Sequence, residues 1–187
     1  MRKWAPLAVN IVLYQTLWTL TVMSATGARW WLGPTLIVAS MLCQAGQSPA
    51  PGKEALVIIL GAAVGCALDG LSMQLGFLRF HGGGTGRFAL VFYGLWVNFG
   101  TTLRPGFSWM WKRPVLAAVL GAIGGPLAYS IGRSVGAIDF PQPSWRGLVW
   151  AATQFAIVLP IWMAIAARTI QGQVGTGPQT SGRDGTR

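Results

Sequence analysis

Apolar residues in this chain gather into six long stretches: Leu7 to Ser24, Trp30 to Ala45, Ala55 to Phe77, Phe88 to Leu103, Val115 to Gly136 and Leu148 to Ala167. Short breaks rich in glycine, proline and basic residues separate them. A helix of about 20 residues rises roughly 30 Å, the thickness of a bilayer's hydrocarbon core. The pattern therefore predicts an all-α, polytopic membrane bundle of about six transmembrane helices, forming a single domain over residues 1–168. The second and fourth runs are the shortest. Segment 169–187 is rich in Gly, Gln and Thr, holds little to bury, and reads as a disordered basic tail.

Composition strengthens this reading. Hydrophobic residues make up 52% of the chain and charged ones 10%, too few to coat a soluble fold of this size. The net charge of +10 would suggest nucleic acid in a soluble protein, but here the cations stand at the borders of the runs and not along one face. Placing the N-terminus inside puts Arg2, Lys3, Lys53, Arg104, Lys112, Arg113, Arg168, Arg183 and Arg187 on the cytoplasmic side. Arg29, Arg79, Arg87, Arg133 and Arg146 are then outside. That excess predicts two cytoplasmic termini. Trp4, Trp30, Trp31, Trp109, Trp111 and Trp145 fall near run ends, where indoles sit at headgroup level. Anionic lipid headgroups are the expected partner, with the loop carrying Arg104, Trp109, Trp111, Lys112 and Arg113 as their contact. The first run lacks a signal-peptidase site and is expected to stay in place as a helix.

Asp69 breaks the third run. A mid-membrane carboxylate costs about 2.5–3.5 kcal/mol on insertion scales, so it calls for a partner or a polar pocket inside the bundle. Two partners suggest themselves. Arg133, at a neighbouring depth in the fifth run, is the expected ion-pair mate, while Gln15, Tyr129 and Gln154 are placed to line a polar pocket with Asp69. Small residues recur at helical spacing around it: Gly61, Gly65 and Gly76 in the third run, Gly121, Gly124, Gly125 and Gly132 in the fifth. This spacing predicts that these two helices pack backbone to backbone. Pro126 and Pro160 predict kinks. No inverted repeat relates the two halves, which weakens a transporter reading.

Chemistry-bearing motifs are sparse. His81-Gly82-Gly83-Gly84 copies an oxyanion-hole string, and Ser130 sits in a near-copy of a nucleophile elbow, but Ser130 lies within a helix and no second His exists to serve as base. The glycine stretch reads as a flexible outer loop. Cys43 and Cys66 have no ligand partners in the pattern, so no metal site, cofactor or catalytic residue is assigned.

Asn10, Gln15 and Trp18, then Gly33-Pro34, Asp69 with Gly76, and Gly124-Gly125-Pro126-Leu127-Ala128-Tyr129 with Gly132 and Gly136-Ala137 form a recognisable order. In these the chain resembles a bacterial inner-membrane family known as domain of unknown function 2878. The resemblance implies a small multi-helix membrane protein whose genes often neighbour lipid-modifying enzymes, and it carries no active site across. The first expectation is thus a non-catalytic accessory component linked to membrane-lipid modification. A proton-linked or solute transporter using Asp69 is the second, and a lipid-acting membrane enzyme the third.

Overall fold

The computed structural model describes residues 5–171. Each apolar run becomes a helix: α1 (Ala5–Ser24), α2 (Leu32–Ala45), α3 (Pro51–Gln74), α4 (Thr85–Gly100), α5 (Pro114–Ser134) and α6 (Trp145–Gln171). Four of them, α1, α3, α5 and α6, are long and apolar enough to cross a membrane. With 14 and 16 residues, α2 and α4 rise only about 21 and 24 Å. Both α5 and α6 run unbroken through Pro126 and Pro160. Helix α6 reaches Gln171, past its expected end at Ala167; the tail beyond it, with Arg2, Lys3 and Trp4, lies outside the described residues.

The distribution of side chains is inverted relative to a water-soluble protein. On α3 the large residues Leu56, Leu60 and Val64 are all more than half exposed, while Asp69 and Ser72 on the other face are buried. Such a helix exposes what lipid solvates and hides what it does not.

Helix α4 is the buried centre, packed by α1, α2 and α3; α6 joins α3 to α5. Past α4 the chain turns tightly through residues 101–113 under one end of the bundle. Its backbone donors are satisfied locally, as in Gly106 N–H to Thr102 O (2.8 Å) and Met110 N–H to Phe107 O (2.9 Å).

An internal repeat organises the second half. Helices α3 and α5 both begin with a proline in the first turn. Both end the same way: Gly76 (φ +72°) and Gly136 (φ +76°) take the left-handed position after the C-cap, Phe77 N–H bonds Ser72 O, and Ala137 N–H bonds Gly132 O. Only glycine takes that backbone at no steric cost. Each turn then feeds a two-residue strand, β1 (Arg79–Phe80) or β2 (Ile138–Asp139), and the two pair antiparallel with Arg79 opposite Asp139. In sequence, Gly61, Gly65, Asp69, Gly76 and Phe80 recur in register as Gly121, Gly125, Tyr129, Gly136 and Phe140. The hairpins α3–α4 and α5–α6 thus repeat one pattern, and the ribbon sets Arg79 opposite its own counterpart, Asp139. They are not a perfect match: α3 packs on α6, but its counterpart, α5 on α4, stays apart.

The expected packing of α3 directly on α5 does not occur. Their glycine faces accept aromatic rings and neighbouring backbone instead of each other. A Cβ on Gly61 would collide with the Trp162 ring and one on Gly65 with Trp96, while on α5 Gly121 and Gly125 admit Phe155 of α6. Wide aromatic side chains fill the grooves that small residues open, and this keeps the α3 and α5 backbones apart.

Candidate functional site

Asp69 is 1% exposed and lies on α3 roughly 8 Å from the end carrying the β-ribbon, five residues short of the helix terminus. Three neutral donors converge on it. Trp96 Nε1–H of α4 donates to Oδ2 (2.6 Å), Gln154 Nε2–H of α6 donates to Oδ1 (3.0 Å), and the Tyr129 hydroxyl of α5 also donates to Oδ1. Since Trp96 and Gln154 donate here through N–H groups, the arrangement suits a carboxylate. Behind Gln154, Ser72 accepts from Trp150 Nε1–H at 2.6 Å, extending the polar chain toward the α6 surface. Four helices are tied together at one carboxylate, and the Asp69–Tyr129 bond joins equivalent positions of the two repeats.

Beside this cluster lies a cavity of about 330 Å³. It occupies the place where α4 and α5 fail to meet. Phe92, Leu95, Trp96 and Phe99 of α4 and Phe155 of α6 form its floor; Tyr14, Trp18 and Val22 of α1 and the strip Gly121, Gly124, Gly125, Ala128 and Tyr129 of α5 form its walls. Phe80 and Ile138 of the ribbon close one end, Phe107 and Met110 the other. The two walls, α1 and α5, do not pack on each other, and the cavity is a cleft open between them, with Leu120 and Gly124 both lining it and exposed. Gly124 shows why: a Cβ there would meet no atom within 4 Å.

Of the pocket expected from sequence, Asp69, Tyr129 and Gln154 come together and Gln15 does not. Gln15 is exposed on α1, where its amide bonds Thr19 one turn on (3.3 Å). The expected ion pair is also corrected. Arg133 Nε lies 3.0 Å from Asp139 of β2, because the ribbon folds that carboxylate back beside the last turn of α5. Gly76 is a helix cap with an open surrounding and not a packing residue, and Gly124 faces the cleft. Gly132 packs at ordinary distance on Ile138.

The headgroup loop divides. Lys112 and Arg113 are exposed, and so is Trp109 (56%), whose indole N–H bonds Gly106 O. Trp111 Nε1–H instead caps Leu103 O at 3.1 Å. Arg104 turns inward, its Nε 2.8 and 3.0 Å from the two carboxylate oxygens of Glu54, which is 2% exposed in the first turn of α3. The third apolar run begins one residue after this acid, at Ala55, so hydropathy gives no sign of its burial. A neighbouring polar layer, Asn10 to Gln44 (2.9 Å) and Gln44 to Thr101 O, binds α1, α2 and the end of α4. Within the glycine string Gly82 is buried, and a Cβ there would strike Phe80 and the Ala25 carbonyl, while His81, Gly83 and Gly84 are exposed. Among the described residues no three His, Cys, Asp or Glu side chains gather as metal ligands would.

Fold and site together define an all-helical protein with membrane-length apolar helices around an aromatic cleft bordered by the buried Asp69 carboxylate. The family model described as "Protein of unknown function (DUF2878)" matches residues 7–161, and the chain belongs to that family. No curated protein and no solved structure matches it.

Proposed function

We propose that this chain is a multi-pass protein of a bacterial inner membrane, crossing it six times with both termini cytoplasmic, and that its work is non-catalytic: it takes one apolar chain of a membrane amphiphile into the cleft between α1 and α5 and holds it there. Presenting such a molecule to lipid-modifying enzymes is the role this suits. The observation that carries the reading is the cleft itself, open between two helices of membrane-crossing length, lined by aromatic and aliphatic groups, and at the small end of ligand-pocket volumes. A water-lined path, which a solute or proton carrier needs, is a poor match for that lining. The enzyme reading has one carboxylate at the cleft, already committed to three donors, and the nearest thiol, Cys66, is turned to the Ala89 carbonyl.

Native mass spectrometry of the protein released from maltoside micelles tests this. Wild type should retain bound amphiphile, and Gly124→Phe, which fills the cleft, should release it while remaining folded. Equal retention by both proteins would remove the cleft as the binding site. For topology, single cysteines at Lys112 and His81 in a background lacking Cys43 and Cys66 should label from opposite faces; labelling from one face would overturn the six-pass arrangement.

A further inference from the structure

The ligand class can be narrowed further, on the premise that the cleft binds an amphiphile as just proposed. Asp69 is the one carboxylate in the described interior with no cation set against it. Glu54 has Arg104, and Asp139 has Arg133. The three groups around Asp69 disperse its charge by hydrogen bonding but do not cancel it. The Tyr129 hydroxyl gives its only proton to Asp69, so its oxygen keeps its lone pairs and gains electron density on the cavity side of the carboxylate. Around this point the lining is aromatic: Trp18, Phe92, Trp96, Tyr129 and Phe155. Ring faces carry negative quadrupole potential and attract cations, most strongly where water is excluded. An uncharged lipid chain would use the volume and leave both the carboxylate and the ring faces without a complement.

We infer that the cleft's ligand is a cationic amphiphile, an ammonium group carried on one aliphatic chain, with the ammonium seated between Asp69–Tyr129 and the Trp96 and Phe92 rings. The depth fits. Asp69 lies in the third of the bundle nearest the ribbon, and the cleft continues from there to Phe107 and Met110 at the far end, so the charged group is held near one headgroup level while the chain runs down the cleft.

Equilibrium dialysis in maltoside micelles, against protein-free micelles, tests this with labelled dodecyltrimethylammonium and with dodecanol and dodecanoate as competitors. Wild type should retain the cation, and each competitor should displace it about tenfold less effectively or worse than the unlabelled cation, the scale of one desolvated charge or cation–π contact. Asp69→Asn should weaken cation binding by a similar factor and leave dodecanol binding unchanged; Gly124→Phe should abolish both. Dodecanol competing as well as the cation, or Asp69→Asn binding the cation like wild type, overturns the charge assignment and leaves the cleft reading standing. Retention of neither amphiphile by wild type removes the cleft reading itself. Should Asp69→Asn fail to fold, the competition in wild type decides alone.

Discussion

Replacing Arg104 by Met strands a carboxylate. Glu54 is 2% exposed, and both of its oxygens lie against the single Nε–H of Arg104. Breaking a buried pair from one side costs about 3–5 kcal/mol, because the remaining charge keeps its desolvation penalty and loses its compensation. The opposite truncation is milder. Arg104 is 27% exposed, so in Glu54→Gln its guanidinium can swing toward headgroups or water, and the loss is one charged hydrogen bond, about 1.5–3 kcal/mol. The double variant Glu54→Gln with Arg104→Met removes both charges and should recover most of what Arg104→Met alone loses. For a chain of this size each kcal/mol moves Tm by about 2–4 °C, so Arg104→Met should fall by about 6–20 °C. The assay is a heating series in maltoside micelles, scored by the temperature at which half of the monodisperse protein is lost. Equal losses for the two single variants, or a double variant no more stable than Arg104→Met, would refute the claim that Arg104 neutralises Glu54.

Other consequences are as direct. Gly121→Ala drives a methyl into the Phe155 carbonyl and should cost about 1–3 kcal/mol, whereas Gly124→Ala enters open space and should be neutral or gain up to about 1 kcal/mol of helix propensity; the same heating series separates them, and equal responses would contradict the α5–α6 packing. Tyr129→Phe removes a donor from Asp69 and should cost about 1.5–3 kcal/mol, while Arg133→Ala breaks a pair in which both side chains are about two-fifths exposed and should cost at most about 1 kcal/mol. If Arg133→Ala proves the more damaging, Asp69 has been given the wrong partner. Gly76→Ala and Gly136→Ala each force a left-handed side chain at about 1–2 kcal/mol, and near-identical losses of Tm for the two are expected from matching caps.

The helices were readable because long apolar runs alternate with breaks rich in glycine, proline and basic residues, and the polar trio Asp69, Tyr129 and Gln154 because each interrupts such a run at a similar depth. Depth alone could not say which way a polar group faces. Gln15 has a local partner in Thr19, which satisfies one of its amide hydrogens, and turns outward. The partner of Arg133 was hidden because a two-residue strand has no periodicity to detect, yet it sets Asp139 beside α5. Trp96 was lost among apolar neighbours; its signal was chemical, an indole N–H in a lipid-depth helix that must find an acceptor. Glu54 was missed because α3 starts at Pro51, earlier than its apolar run, and draws the acid into the first turn. The cleft could not be read at all, since it arises from a contact that one repeat makes and the other does not.

The doubling of the α3–α4 unit has a consequence for the chemistry where the two copies meet. Were the two units separate, identical chains in a symmetric dimer, the residues meeting at the axis would have to be the same, and an acid at that place would confront its own copy, charge against charge. Fusing both units in one polypeptide releases that constraint. One position is then free to become an acceptor and the other its donor, and the asymmetric bond between Asp69 and Tyr129 is a liberty that only a covalently joined pair possesses.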